Sequence, residues 1–297
     1  MAALLGGCAH LQPSAPPASG AELVHTPFFP QSAYQCGPAA LATVLVDSGV
    51  STEPDALVDK VWIAERKGSL QAELLAATRS FARLPLRLEP TLDHLSGSLQ
   101  AGYPVLILLN LGVRWLPVWH YAVVIGETET GWVLRSGTTR RHWMSRADLS
   151  QAWERAERWA FVVAQPAHMP PMASLEPWVR AADDLINTGQ PEAGLLALRQ
   201  AAHRWPDSRL TWFALGNAQA AQGDWSAAQA SFQQSVALDG DWLPAINNLV
   251  SALLELGCPA RADPFVARLK RSAADYAKRT VADYESAPPA THCQLAP

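Results

Sequence analysis

The last third of the chain repeats itself at a fixed step. Gly189, Gly223 and Gly257 stand 34 positions apart, and Trp178 precedes Trp212 by the same interval. Between the glycines the apolar residues recur at helical spacing. A period of this length predicts pairs of helices that turn at the shared glycine, and about three pairs must stack because one pair cannot bury its own apolar face.

This repeat resembles the tetratricopeptide repeat, with units near 175–208, 209–242 and 243–276. The third unit departs from the pattern, since Pro259 and Pro264 crowd its second helix, so it is a degenerate repeat or a cap. A generic helical bundle is the alternative. The resemblance implies an all-α domain over 175–276 that binds a protein partner on its surface and does no chemistry itself. A linker at 166–174 would precede it, and a loose tail at 277–297 would follow.

Composition narrows the function classes. A chain of 297 residues is long enough for two domains. With 23 Lys+Arg against 27 Asp+Glu and no basic run, nucleic acid is not an expected partner. His and carboxylates do not fall at metal-binding spacing, and no glycine-rich phosphate loop occurs, so we expect no metal and no cofactor. Cys258 and Cys293 could form a bridge in an oxidising compartment.

The N-terminus contains the run Leu5-Gly6-Gly7-Cys8, which resembles a bacterial lipobox. The stretch after Cys8 is rich in Pro, Ser and Ala, as in a flexible tether. The resemblance implies that 1–24 is a signal remnant and tether, and that Cys8 is the lipidation site. The membrane would then be reached through a lipid anchor only. Ala9 implies the bacterial cell envelope, at the periplasmic face of the outer membrane; an ordinary mobile terminus is the alternative.

Residues 25–165 have an α+β pattern, and chemistry is expected there. After Cys36 the apolar residues take helical spacing, and Pro38 suits a first turn, so Cys36 is predicted at or just before a helix N-terminus. Free backbone N–H groups and the helix dipole stabilise a thiolate at such a position. Gln31 carries an amide that could hold the oxygen on which negative charge develops.

A thiolate needs a base, and His120 is the best placed of eight histidines. It opens a β-branched apolar run that ends at Gly126, so we predict a strand with His120 at its start. A cysteine at a helix start and a distant histidine on a strand are the two parts of a papain-type site. His142 is predicted in a solvated turn. Trp115 and Trp119 flank the strand, either in the core or along a substrate groove.

The block from Gln31 to Ala39 and the His120 strand resemble the bacteriocin-processing, double-glycine cysteine peptidases of papain-like fold. The resemblance implies nucleophile Cys36, general base His120 and oxyanion-hole Gln31, which matches better than Gln35. The family's orienting Asp is replaced by Ser136, which can hold the imidazole but cannot stabilise its cation as a carboxylate does. Asn110 is an alternative orienter.

The predicted function is therefore hydrolysis of peptide bonds, following small residues such as Gly-Gly, in a peptide or protein substrate recruited by the repeats. The missing Asp leaves a second hypothesis, a catalytically inactive scaffold that binds proteins through its repeats. A third keeps the Cys36 and His120 chemistry in an amidase or acyltransferase.

Overall fold

A computed structural model describes residues 21–31, 35–63, 68–288 and 293. The described chain divides into two compact units. The first comprises residues up to Thr78 with Arg87–Val163, and the second comprises Arg79–Leu86 with the chain from Ala164 onward. Within these described ranges, no helix is long and apolar enough to cross a membrane.

The first unit combines helices with a sheet, as its α+β pattern predicts. The helices are α1 (Cys36–Asp47), α2 (Pro54–Val61), α3 (Gln71–Ser80), α4 (Leu92–Gln100) and α5 (Arg146–Glu154). Its strands are β1 (Trp62–Ile63), β2 (Gly68–Ser69), β4 (Val105–Asn110), β5 (Trp119–Glu127), β6 (Gly131–Ser136), β7 (Thr139–Ser145) and β8 (Ala160–Ala164). Strand β3 (Leu84–Arg87) lies mostly within the residues assigned to the second unit.

The main sheet has six strands in the order β3-β8-β4-β5-β6-β7, and β1 pairs with β2 in a separate ribbon. Strands β4, β5, β6 and β7 follow one another as antiparallel neighbours. Strand β4 is buried along its whole length, and β5 is buried from Tyr121 to Gly126. Such continuous apolar runs form strands that are covered on both faces, so the sheet centre is the core of this unit.

Helix α1 packs against β5 and carries the candidate nucleophile at its first residue. Its residues from Gly37 to Leu45 are all buried, so it forms the second layer of the core. Small side chains at Gly37, Ala39 and Ala40 allow the helix to approach the sheet closely. This packing brings the N-terminus of α1 to the start of β5, where His120 lies.

The second unit is a series of helical hairpins. Its helices are α6 (Leu175–Asn187), α7 (Pro191–Arg204), α8 (Arg209–Ala221), α9 (Trp225–Leu238), α10 (Leu243–Glu255), α11 (Pro259–Leu269) and α12 (Asp275–Ser286). The first helices of the three hairpins begin at Leu175, Arg209 and Leu243, so the structural period is the period of the sequence. The hairpins resemble tetratricopeptide units in length and step, and their assignment to that family stays a prediction.

The shared glycines make the turns inside the hairpins. Gly189, Gly223 and Gly257 have φ angles of 84°, 77° and 67°, a region that disfavours other residues. Each therefore ends its first helix with a left-handed residue, as C-terminal glycines commonly do. Gly216 has a different purpose, because a Cβ there would lie 2.6 Å from the Phe232 ring. It lets α8 and α9 pack closely.

The end of the chain corrects one prediction. Residues 277–297 were expected to be a loose tail, but 275–286 form α12, which packs on α10 and α11. Ala277 and Thr280 are buried, and Val281 and Tyr284 pack against the cluster beneath. The helix covers an apolar edge that the last hairpin would otherwise expose, as capping helices of repeat arrays do.

A disulfide joins Cys258, at the start of α11, to Cys293 beyond α12. The sequence had left this pairing open. The bond closes a loop over the capping helix and ties the chain end to the last hairpin.

Candidate active site

Cys36 is the first residue of α1, as the sequence predicts, and its sulfur faces the sheet. The backbone N–H groups of Tyr121, Gly37 and Cys36 itself point toward the sulfur. Tyr121 immediately follows His120 on β5. The fold thus brings the Cys36 sulfur to the backbone of the residue that follows His120, although the two positions are far apart in sequence.

Gly37 allows this arrangement. A Cβ at this position would lie 2.2 Å from Ser69 Oγ and 2.6 Å from Ser69 Cβ. The Tyr121 hydroxyl donates a hydrogen bond of 3.2 Å to the Ser69 carbonyl, and burial raises the pKa of that phenol, which stays protonated. Ser69 and Tyr121 therefore fix the nucleophile helix against its neighbours, a role that the sequence did not reveal.

The surroundings of Cys36 disfavour its thiolate. Burial raises its pKa, and the three backbone N–H groups oppose that effect only in part. The helix N-terminus has no side-chain cap from Gln35. No side chain therefore competes for the N–H groups of Cys36 and Gly37, which face the sulfur and could also stabilise an oxyanion formed next to it.

His120 contacts Ser136, the residue predicted to orient it. Their Nε2 and Oγ atoms are 2.8 Å apart, so Nε2 is engaged and Nδ1 is the nitrogen that could act as a base. A serine hydroxyl either donates to or accepts from a ring nitrogen. Unlike a carboxylate, Ser136 therefore does not force the tautomer in which Nδ1 is the base.

The surroundings of His120 disfavour its cation. Burial and the nearby His142 lower the pKa of His120, and burial likewise lowers the pKa of His142. The solvated turn predicted around His142 is wrong. Residues 139–145 form β7, where His142 pairs with Leu134 and is half-buried. The prediction failed because an edge strand with many polar side chains resembles a turn in sequence.

Gln31 lies close to Cys36 and Ser136. Its backbone N–H donates to the Gly137 carbonyl at 3.1 Å, which ties it to the turn after β6. Gln31, Cys36 and Ser136 line one small cavity. Gln35, the alternative amide, lines a neighbouring cavity of about 220 Å³ that Gln31 also borders. Gln31, Cys36 and Ser136 thus share one cavity, and His120 is linked to them through its contact with Ser136, while the roles of all four stay predictions.

Arg135 is a site residue that the sequence reasoning missed. It is only 6% exposed and lines the cavity next to Ser136. Its guanidinium donates to the carbonyls of Val24, Thr26 and Arg140. It thereby holds the segment that leads to Gln31 against β6. The one signal in the sequence was a charged residue inside an otherwise apolar strand.

Asn110, the alternative orienter, has another purpose. Its Oδ1 accepts from the backbone N–H groups of Gly112 and Val118, both at 3.0 Å. It closes the loop between β4 and β5. Trp115 and Trp119 in that stretch are 83% and 54% exposed, so the first of their two alternatives, core packing, is wrong.

The predicted lipidation site Cys8 lies outside the described residues. In the part of the chain that the structure describes, no group of three His, Cys, Asp or Glu side chains is placed to hold a metal.

No protein-family model matches the chain, and no curated protein matches it. Among solved structures, it is similar to a protein from Bacillus anthracis described as a C39-like peptidase. That match is 16% identical, covers 49% of this chain and 97% of the other, and has a TM-score of 0.42. At this level the match does not bear on activity, which has to be inferred from the site itself.

Proposed function

We propose that the first unit is a thiol hydrolase of peptide bonds. The observation that carries the proposal is the convergence of three elements: Cys36 at a helix start, His120 held by Ser136, and Gln31 in the same cavity. Nucleophile, base with orienter and oxyanion donor are the parts that acyl transfer requires.

The reaction follows from these parts. Cys36 Sγ attacks the substrate carbonyl as its proton passes to His120 Nδ1, and the Gln31 amide and the Cys36 N–H hold the oxyanion. The C–N bond breaks as His120 returns the proton to the leaving amine. Water then attacks the thioester carbonyl and gives a proton to His120. The C–S bond breaks to release the acid, and His120 returns the proton to Cys36 Sγ.

The pKa shifts of the two proposed catalytic groups bear on the order of events. The raised pKa of Cys36 and the lowered pKa of His120 disfavour a resting thiolate–imidazolium pair. Proton transfer therefore accompanies attack, with His120 as a general base. A site of this kind is slow toward small electrophiles and depends on a bound substrate to align the carbonyl.

A peptide library with mass-spectrometric product analysis tests the proposal. Cleavage that disappears in both Cys36→Ala and His120→Ala is expected, while Cys258→Ala keeps activity because that sulfur lies in the second unit. We also propose that the cut follows small residues such as Gly-Gly, which the library reads directly. Acyl transfer to an added amine without hydrolysis would support the amidase or acyltransferase alternative instead.

The inactive scaffold remains the second candidate, favoured by the Ser136 contact and by the neutral state of Cys36 and His120. A thiol-reactive, peptide-based probe separates the two. Labelling at Cys36 that is lost in His120→Ala supports the hydrolase. Absence of labelling across the pH range at which the protein is folded supports the scaffold.

For the second unit we propose that the helical hairpins bind a protein partner and raise the local concentration of substrate. We also propose that Cys8 carries lipid and holds the chain at the periplasmic face of the outer membrane. Mass spectrometry of the mature N-terminus in the native host tests this directly, since an unmodified Met1 would remove both the anchor and the location.

A further inference from the structure

The loop between β4 and β5 gathers apolar side chains at the surface. Six of the ten large hydrophobic side chains that are exposed in the described ranges lie within residues 111–119. We name this segment the apolar hairpin. The six are Leu111, Val113, Trp115, Leu116, Val118 and Trp119. Scattered exposed apolar residues are ordinary, but a contiguous group marks an interaction site.

The apolar hairpin is held in one conformation. Leu111 N–H donates to the Val118 carbonyl at 2.8 Å, and Val113 and Leu116 exchange backbone hydrogen bonds of 3.2 and 3.1 Å. Buried Asn110 accepts from two further backbone N–H groups of the loop. At Gly112 a Cβ would lie 2.3 Å from the Leu116 carbonyl oxygen, so the two sides approach as closely as backbone permits. The apolar side chains are thus presented on a firm support rather than left on a loose loop.

The charge of this region indicates the partner. Between Val105 and Gly126 the only Lys, Arg, Asp or Glu is Arg114, although the chain as a whole carries a net charge of −4. At the base of the hairpin, the Arg155 guanidinium donates to the Asn110 carbonyl. Tryptophan with aliphatic side chains and an arginine, in a segment that itself contains no carboxylate, suits the interface of an anionic bilayer.

The degree of exposure favours a bilayer over a peptide. Trp115 is 83% exposed and Leu116 is 61% exposed, whereas a side chain that lines a peptide groove is covered on at least one flank. From these observations we propose that the apolar hairpin inserts into the interfacial region of an anionic lipid membrane. The predicted N-terminal tether is compatible with this proposal. The stretch from Cys8 to Ala21 spans at most about 45 Å when fully extended, so a lipid on Cys8 would keep the first unit near the bilayer.

The orientation of the membrane-bound protein would determine which substrates reach the candidate active site. Trp119 immediately precedes His120 on β5, so insertion of the hairpin brings the candidate active site close to the lipid surface. Substrates would then be polypeptide segments at or near the bilayer. Membrane binding itself needs no chemistry at Cys36 and stands apart from the proposed hydrolase.

Vesicle co-sedimentation of the full chain tests the inference. The protein carries Cys8→Ser, so that no acyl group contributes. We expect it to sediment with vesicles containing phosphatidylglycerol and much less with phosphatidylcholine alone. Trp115→Ser with Leu116→Ser should lower the partition coefficient at least about tenfold, since two large apolar side chains no longer leave water.

Matched variants separate the causes. Leu196→Ser with Leu238→Ser removes two exposed leucines from the second unit, 38% and 42% exposed, and should leave binding unchanged. Arg114→Gln should reduce only the preference for vesicles containing phosphatidylglycerol over those of phosphatidylcholine. Cys36→Ser should bind as the parent does, so a failed hydrolase and a failed membrane site give different results.

Three results would overturn the inference. The Cys8→Ser chain could stay in the supernatant with both vesicle types. The leucine control could lose as much binding as the hairpin variant. Alternatively, ultracentrifugation could show self-association that Trp115→Ser with Leu116→Ser abolishes while vesicles bind nothing, which would make the hairpin a contact between two copies.

Discussion

Replacing Ser136 with aspartate should convert a neutral partner of His120 into a charged one. Ser136 Oγ lies 2.8 Å from His120 Nε2, so the carboxylate would lie roughly 4 Å from the imidazolium charge. At an effective dielectric constant of about 20, two charges at this distance attract by about 4 kcal/mol. His120 is only half-buried, and desolvation of the carboxylate offsets part of the gain, so we expect about 1.5–4 kcal/mol.

The position can accept the longer side chain. The pairing of β6 and β7 shifts register between Leu134 and Ser136, and Gly137 in the turn has a φ of 60°. The backbone is therefore irregular where the two extra heavy atoms must fit. An aspartate there accepts only, so it holds Nε2 protonated and leaves Nδ1 as the base.

The assay is the rate of alkylation of Cys36 by iodoacetamide against pH, followed by intact mass in the Cys8→Ser background. In the parent, burial raises the pKa of the thiol, so the rate should rise only above the ordinary thiol range. In Ser136→Asp the stabilised imidazolium supports a thiolate at lower pH. Reactivity near neutral pH should increase at least about tenfold, since about 1.4 kcal/mol is worth a factor of ten.

Ser136→Asn is the matched control, since it has the size of aspartate without the charge. Its profile should follow that of the parent. If Ser136→Asp and Ser136→Asn gave superimposable profiles, His120 would not act on Cys36 through the Ser136 contact, and the assignment of these three residues to one catalytic unit would be wrong.

Three predictions concern stability. Burial lowers the pKa of His142, so the unfolded chain binds more protons below about pH 6.5, and the stability of the folded chain falls as pH decreases below that value. In urea titrations, His142→Gln should therefore lose less stability than the parent between about pH 7.5 and 5.5. An equal loss in both proteins would contradict this. Gly37→Ala should destabilise the first unit by about 1–3 kcal/mol in the same assay, and Ser69→Gly in that background should restore most of the loss; no rescue would show that the clash lies elsewhere. Cys293→Ala opens a loop of sequence separation 35 and should cost the second unit about 3 kcal/mol, with dithiothreitol having no further effect on the variant; an unchanged urea midpoint would mean that the bond does not form in solution.

Local patterns predicted much of the fold. The helix that starts at Cys36 and the strand that starts near His120 follow from apolar periodicity together with Pro38. The hairpins of the second unit follow from glycines spaced 34 residues apart, each of which has a positive φ angle in the structure. Patterns of this kind act over a few residues, so a single sequence carries them.

The remaining features depend on contacts between distant residues. The Ser136 contact was expected from a family spacing, but the anchoring of Gln31 to Gly137 and the clamp formed by Arg135 arise from pairing across more than 100 positions. The exposure of Trp115 could not be predicted because aromatic residues are buried more often than not. Its environment is set by the turn geometry around Asn110, which composition does not encode.

The resting state of the site also bears on damage by oxidants. Peroxide reacts with a thiolate to give sulfenic acid, and a second equivalent takes it irreversibly to sulfinic acid. Since burial raises the pKa of Cys36, its sulfur should resist oxidation under conditions that join Cys258 and Cys293. If Cys36 is the proposed nucleophile, the same burial that slows its attack would also protect it until a substrate is bound.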